Sequence, residues 1–459
     1  MMGSRLQTTA MFQYFCLDDW VPADHLLRAI DRHVDFRAIR ERLRPLYSDI
    51  GRPSIDPEIL LRILLVGYLY GITSERRLLD EVGLNLAYRW FTGLGFDQSI
   101  PDHSTFSKNR HDRFRESALF REFFEQIVQR CIDAGLVEGQ RFSVDGTIIA
   151  ANASTQSRVP REKLPEAAKV SRTAQEYLLE IDTENEGDPP DSPHSPPGNP
   201  PSLIDTDGKV STSDPDAAWA SKGGPLHLSY YDNYLIDNAS NIIVDVEATP
   251  ARTSQEIVAA RRMLDRVASN FGVAPTTLGA DKSYGTGPFL AWLIDRGIAP
   301  HVPVLDRTQQ TDGRFTRADF VFEPDANAYR CPNGKLLRFR GIGRASRVNV
   351  FFASPSDCTK CSMKAACTTG RARRLTVNFD EPARQHAKQL AGTDDYRRSW
   401  RERKKAEALF AELKDIIKLR RFRLRRLRNV KEQTLMAATA QNIRRMIRFL
   451  EPTTTLCRS

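Results

Sequence analysis

Residues 142–154 read FSVDGTIIAANAS and, with Arg141, open the first β-rich stretch of the chain. Phe142, Val144, Thr147 and Ile149 suit an extended strand, and Asp145 lies on it. Upstream, from about Asp19 to about Leu136, the pattern is helical. Asp56 can cap a helix with Pro57 in its first turn, and Ile59, Leu60, Ile63 and Leu64 recur at helical spacing; Gly71 then permits a turn, and Ser74 can cap the next helix. Downstream, strands are expected in LHLSYYDNYLID (226–237) and NIIVDVEATPA (241–251), joined by a turn from Asn238 to Asn241. An amphipathic helix ends at Gly272, and then come strand TTLGAD (276–281), helix GPFLAWLIDRG (287–297) and strand APHVPVL (299–305). Strands alternating with helices in this way predict a mixed α/β sheet.

The predicted domains are a helical segment 1–138, a catalytic α/β domain of 139–306 with 380–459, and a β-rich insertion 307–379 that carries four cysteines. A flexible, proline-rich loop is expected near 156–202, because Thr183 to Pro201 alone contains seven prolines and cannot bury enough apolar surface to offset its ordering entropy.

The formal charge of the 459 residues is +9. Its distribution is more informative than its size: Tyr396 to Arg428 holds 14 Lys/Arg against 4 Asp/Glu, a focused basic surface suited to a polyanion. The first residues, MMGSRLQTTAMFQYF, lack the apolar core of a secretory signal, and ILLRILLVGYLYGI is short and interrupted by Arg62. A cytoplasmic, nucleoid-associated protein without a membrane partner is the expectation.

Three acids in different elements carry the candidate chemistry: Asp145, Asp281 in GADKSYGT, and Glu407 in WRERKKAEALFAELK (400–414). Phosphodiester cleavage needs an activated nucleophile, a stabilised leaving oxygen and neutralised phosphate charge, which two magnesium ions about 3.5–4 Å apart can supply. Such hard cations take oxygen ligands, with a few carboxylates completed by substrate and water. At about 100° per residue, with Arg403 at zero, Trp400 falls near 60°, Glu407 near 40° and Lys414 near 20°. Leu409, Leu413, Ile416 and Ile417 fall between about 220° and 320°, a separate apolar face. Glu402 and Glu412 lie off the basic stripe, near 260° and 180°, and are poorer ligand candidates.

The segments around Asp145 and Asp281, the spacing Trp400-x2-Arg403-x3-Glu407-x6-Lys414, the early GRPSIDPEILLRILLVGYLYGITSERRL and the later CP…CxxC pattern together resemble the DDE-type bacterial insertion-sequence transposases, a cut-and-paste group. That family has tyrosine where this chain has Trp400, which keeps a stacking surface and loses a phenolic hydroxyl. The resemblance implies a ribonuclease-H-like topology for the catalytic core, with Asp145, Asp281 and Glu407 holding two Mg2+, for which Mn2+ can substitute. It also implies hydrolysis at element ends to expose 3′-hydroxyls, their in-line attack on target DNA, and a homodimer at least when double-stranded DNA is bound. Arg403 and Lys414 would hold end phosphates, and the helical domain would serve end recognition or assembly. Lys282 and Tyr284 beside Asp281, and Arg420 and Arg421 in RRFRLRRLR (420–428), are further candidate DNA contacts, with a solvated surface as the alternative for each. A nuclease that cuts without joining and a DNA-binding regulator that has lost its chemistry are the rival functions.

Cys331, Cys358, Cys361 and Cys367 have the count and part of the spacing of a structural zinc site; buried thiols without metal and redox chemistry are the alternatives. Cys16, Cys131 and Cys457 form no comparable pattern. Asp102, His103 and Ser104 are consecutive, which suits a helix cap better than a catalytic triad, with Lys108, Arg110 and Arg113 on a basic helix face. His227 is expected to be structural.

Overall fold

The computed structural model describes residues 15–47, 54–109, 118–187, 208–221, 224–252, 254–305, 314–343 and 347–452. Arg110, Arg113, Cys457 and the prolines from Pro189 to Pro201 lie outside these. Two compact units are present: residues 1–138, 146–273 and 405–459 form the first, and residues 139–145 and 274–404 the second.

The first unit opens with helices α1 (Leu17–Trp20), α2 (Leu26–His33), α3 (Arg37–Leu43), α4 (Pro57–Leu69), α5 (Glu75–Leu84), α6 (Leu86–Thr92), α7 (His103–Asn109) and α8 (Leu119–Asp133). Asp56 caps α4 by accepting from the Glu58 amide at 2.9 Å, and Pro57 occupies the first turn, where its missing N–H leaves no bond unmade. Ser74 caps α5 through the Arg77 amide. Asp102 accepts from the Ser104 amide at 2.8 Å at the start of α7, so the Asp-His-Ser run is a helix start. The apolar α4 is buried on almost every side, including Leu60, Leu61, Ile63, Leu64, Leu65 and Val66. Among the described residues no helix is long and apolar enough to cross a membrane.

Strand β1 (Arg141–Ala150) runs through both units. After it come β2 (Arg158–Pro160), α9 (Leu164–Ala168), α10 (Arg172–Gly187) and β3 (Lys209–Ser211). The expected flexible loop near 156–202 is therefore corrected over 156–187. Strands β2 and β3 pair antiparallel, and Leu164, Ala174, Tyr177 and Val210 bury against one another. The helical spacing of apolar residues in this stretch has a surface to cover, and the proline-rich run begins only at Pro189.

Strands β4 (Ala218–Ala220) and β6 (Ile242–Pro250) both pair antiparallel with β5 (His227–Asp237), whose other neighbour is β1. Asn241 closes the β5–β6 hairpin at φ 58°, a conformation Asn tolerates. Helix α11 (Gln255–Phe271) packs on this hairpin. On β6 the buried acids Asp245 and Glu247 are held from three helices: Arg121 and Arg266 reach Asp245 at 2.5 and 2.7 Å, Arg266 reaches Glu247 at 2.9 Å, and Lys431 reaches Glu247 at 3.2 Å.

In the second unit β1 pairs parallel with β7 (Thr277–Gly279), and β7 with β8 (Ala299–His301); the crossover helix between the last two is α12 (Gly287–Asp295). Strands β9 (Val321–Glu323), β10 (Ala328–Arg330), β11 (Leu336–Gly343), β12 (Val348–Ala353) and β13 (Arg374–Asn378) form a separate antiparallel sheet, with α13 (Pro355–Thr359) and α14 (Lys364–Cys367) between the last two strands. Helix α15 (Glu381–Leu390) follows. Helix α16 (Asp394–Asp415) then passes from the second unit into the first, where α17 (Leu427–Leu450) closes the chain. Helix α17 buries polar residues with defined tasks. The Asn442 side chain accepts from the Ile243 N–H and donates to the Ile243 carbonyl, beside the register shift in the β5–β6 pair.

Asp214 is another buried polar group, accepting from the Tyr230 hydroxyl at 2.6 Å and the Arg426 amide at 3.0 Å while its second oxygen has no hydrogen-bond partner. Burial pushes its carboxyl from 3.8 up to about 6. A folded-state acid that keeps its proton to higher pH stabilises fully below the unfolded value and loses that contribution as pH rises through the folded value. This side chain should therefore cost up to about 3 kcal/mol of stability between pH ~4 and ~6. Asp214→Asn is expected to flatten that part of the stability–pH curve in denaturant unfolding; an unchanged slope would contradict the assignment.

Candidate functional site

Alternation along β1 sets Ser143, Asp145 and Thr147 on one face and Gly146 on the other. A Cβ on Gly146 would lie 2.7 Å from the Asn233 side-chain oxygen and 2.9 Å from that of Glu256, so the residue after Asp145 has no room for a side chain. In the parallel pairing, Arg141, Phe142 and Ser143 stand opposite Thr277, Leu278 and Gly279. Asp145 and Asp281 are each two residues beyond the last of these pairs, at the same distance along neighbouring chains.

The loop carrying Asp281 is tightly held. Its carboxylate accepts from the amide and hydroxyl of Ser283, and the Leu305 amide donates to the Gly285 carbonyl at 2.9 Å. A Cβ on Gly285 would meet the Pro303 carbonyl oxygen at 2.0 Å, which explains a glycine there. Tyr284 is fully buried beside Phe289, so it anchors the loop and is not available to a phosphate. Lys282 is exposed.

Within the second unit, α16 comes close to the strands because the facing side chains are small. A Cβ on Gly279 would stand 3.3 Å from the Ser143 hydroxyl and 3.7 Å from the Ser399 Cβ. The buried Ser399 hydroxyl hydrogen-bonds His301 Nδ1 at 2.7 Å, and burial holds that imidazole below its ordinary pKa. One turn further, Arg403 reaches Asp145 at 3.7 Å and lies over the exposed ring of Trp400 at 5.2 Å. Glu402 pairs with Arg141 at 3.5 Å.

Within the first unit, the rest of α16 buries Ala406, Leu409, Phe410 and Leu413, while Glu407 is exposed. Lys414 donates to the Thr147 hydroxyl at 2.7 Å and lies near the fully buried Asp232, whose carboxyl burial pushes far up. Glu412 pairs with Arg445 at 2.5 Å. Both off-stripe glutamates are thus engaged elsewhere, while Trp400, Arg403, Glu407 and Lys414 follow the stripe drawn from the sequence. The hydrogen bond of Lys414 to Thr147 was not foreseen; the only hint was that Thr147 shares a strand face with Asp145.

The basic run 420–428 divides into two sets. Arg420, Arg421 and Arg425 are exposed, whereas Arg426 is 2% exposed and held by Asp216 at 2.8 Å, and Arg428 pairs with Glu176. Phe422 is buried against Tyr230. His227 hydrogen-bonds the nearby Pro225 carbonyl. The four cysteines of the β-rich segment, half-buried free thiols, gather around one cavity. Among the described residues, no group of three His, Cys, Asp or Glu side chains stands at metal-holding spacing.

Aspartates just beyond a parallel strand pairing and a mixed sheet flanked by helices together fit an α/β nuclease-like core. Two family models match the chain: Transposase domain (DUF772) over residues 15–112, and Transposase DDE domain over residues 330–447. Both matched segments carry transposase descriptions, and the chain is consistent with a DDE-type transposase. A solved piggyBac transposase synaptic complex with hairpin DNA aligns over 94% of this chain and 79% of its own, with 8% identity and a TM-score of 0.31, too low a score to bear on the fold.

The contacts separate two roles on one stripe. Lys414→Met removes a partly buried hydrogen bond to a charged group and is expected to cost about 1–3 kcal/mol in denaturant unfolding. Trp400→Ala, at an exposed ring, is expected to cost no more than about 1 kcal/mol. The reverse ranking would refute the division.

Proposed function

We propose that this transposase cleaves the ends of its own mobile element and joins the 3′-hydroxyls to target DNA, using Asp145, Asp281 and Glu407 as its acid set on a ribonuclease-H-like core. The observation that carries the reading is the matched position of the two aspartates beyond a parallel strand pair, together with a helix that continues from the arginine contacting Asp145 to Glu407 one turn on. The topology is supported by an antiparallel hairpin next to β1 in one unit and the parallel strands β7 and β8 in the other.

The donor set suits a hard divalent cation. It is all carboxylate oxygen, and the Arg403 guanidinium stands 3.7 Å from Asp145, a loose contact that an ion can replace. Bound Mg2+ or Mn2+ would lower the pKa of the attacking water or hydroxyl and neutralise charge on the scissile phosphate. The chain's own residues do the positioning. The Ser283 contacts orient Asp281, and Ser399 and His301 hold α16 against the strands. Exposed Trp400 offers a stacking face to an unpaired base, while Lys282, Arg420 and Arg421 offer charge to phosphates. Double-stranded DNA is the partner, and joining two ends calls for two copies of the chain in the DNA complex.

Incubating labelled element ends with a target plasmid and Mg2+ tests this directly. Asp145→Asn, Asp281→Asn and Glu407→Gln are each expected to retain end binding and to lose strand transfer by at least ~100-fold, the upper end of losses typical for outer-shell partners of a metal. Cleavage by the unaltered chain without joined product would indicate a nuclease. An Asp145→Asn chain that matched the unaltered one in every reaction would indicate a DNA-binding regulator.

A further inference from the structure

The four cysteines of the β-rich sheet stand outside the chemistry above. Cys331 begins the turn between β10 and β11, Cys358 is in α13, Cys361 follows it, and Cys367 ends α14. All four line one cavity of about 30 Å³, room enough for an ion or a water molecule. Three hydrogen-bond donors point at their sulfurs: the Lys335 amide to Cys331 at 3.3 Å, the Asn333 side-chain amide to Cys361 at 3.3 Å, and the Arg373 amide to Cys358 at 3.5 Å. The turn making the first contact is closed by the Gly334 amide on the Cys331 carbonyl at 2.8 Å, with Gly334 at φ 74°. Lys335, Lys364 and Arg373 also line the cavity.

We propose that Cys331, Cys358, Cys361 and Cys367 bind one zinc ion as a tetrahedral four-thiolate site. Soft thiolate donors select zinc over the hard cations suited to carboxylates. The N–H donors aimed at sulfur are the outer-shell contacts that stabilise thiolates, and the three cations offset the net negative charge of a zinc ion with four of them. Packing alone would not demand four thiols around one small void with donors directed at three. Binding requires the sulfurs to move closer together, since in this structure no three of them stand at metal-holding spacing.

The sheet has reason to need such a staple. Its core is small: Phe320, Tyr329, Leu337, Phe351, Ala353, Leu375 and Val377. An ion shared by the β10–β11 turn and the α13–α14 segment ties together two parts of that sheet's periphery that are distant in sequence, as small cores commonly require.

The test uses the full chain, expressed with zinc available, with metal content, free thiols and intact mass measured together. One zinc per chain is expected, with cobalt substitution giving the charge-transfer and ligand-field bands of a tetrahedral four-thiolate ion. Cys361→Ser is expected to lose most of the bound metal and Cys16→Ser to keep it. Where Cys361→Ser does not fold, release of one zinc from the unaltered chain on thiol modification, read with a metallochromic dye, provides the same evidence. A chain that holds no zinc and takes up neither zinc nor cobalt would overturn the proposal, as would a mass four hydrogens lower, showing two disulfides, or a folded Cys361→Ser that keeps its zinc. None of these readouts depends on the DNA chemistry.

Discussion

The parallel pairing of β1 with β7 is the constraint on which the candidate chemistry depends. A shift of one residue between these strands would turn the side chain of one aspartate to the opposite sheet face, because side chains alternate along a strand. The residues around the pairing leave little freedom for such a shift. Gly146 and Gly285 have no room for a Cβ, and Gly279 sits beneath the close approach of α16. The loop after β7 is pinned by the buried Tyr284. The two aspartates are thus held at matching positions by backbone hydrogen bonds and steric fit.

Helix α16 works under a second constraint, since it must bury one face while offering another. Its apolar residues, Ala406, Leu409, Phe410 and Leu413, are spaced so that Arg403, Glu407 and Lys414 stay off the packed side. Its other two glutamates are paired locally, Glu402 with Arg141 and Glu412 with Arg445. The effect is that the exposed Glu407 is the acid of the stripe left facing solvent, within the stretch Tyr396 to Arg428 whose surplus of positive charge suits a polyanion.

Much of this was legible without coordinates. Asp56, Ser74 and Asp102 announce helix starts because capping is a local event between residues two or three apart. The strand order is legible because runs such as LHLSYYDNYLID and NIIVDVEATPA carry β-branched and aromatic residues bounded by a turn. The stripe on α16 follows from helical geometry alone. The stretch 156–187 was misjudged because a strong proline signal nearby masked a weak amphipathic one, and its apolar residues acquire meaning only against Val210, which comes much later in the chain. The arginines of 420–428 were equally opaque: nothing in RRFRLRRLR tells Arg421, which is exposed, from Arg426, which is buried on Asp216.

The sequence by itself determined the local matters: where the strongly patterned helices and strands lie, which acids are candidates, and which helix face is basic, because each depends on residues a few positions apart. Tertiary structure decided which charges are available. Lys414 is drawn to Thr147 and Arg426 to Asp216, while the four cysteines are gathered round one cavity; these outcomes depend on desolvation and on partners brought together from distant parts of the chain.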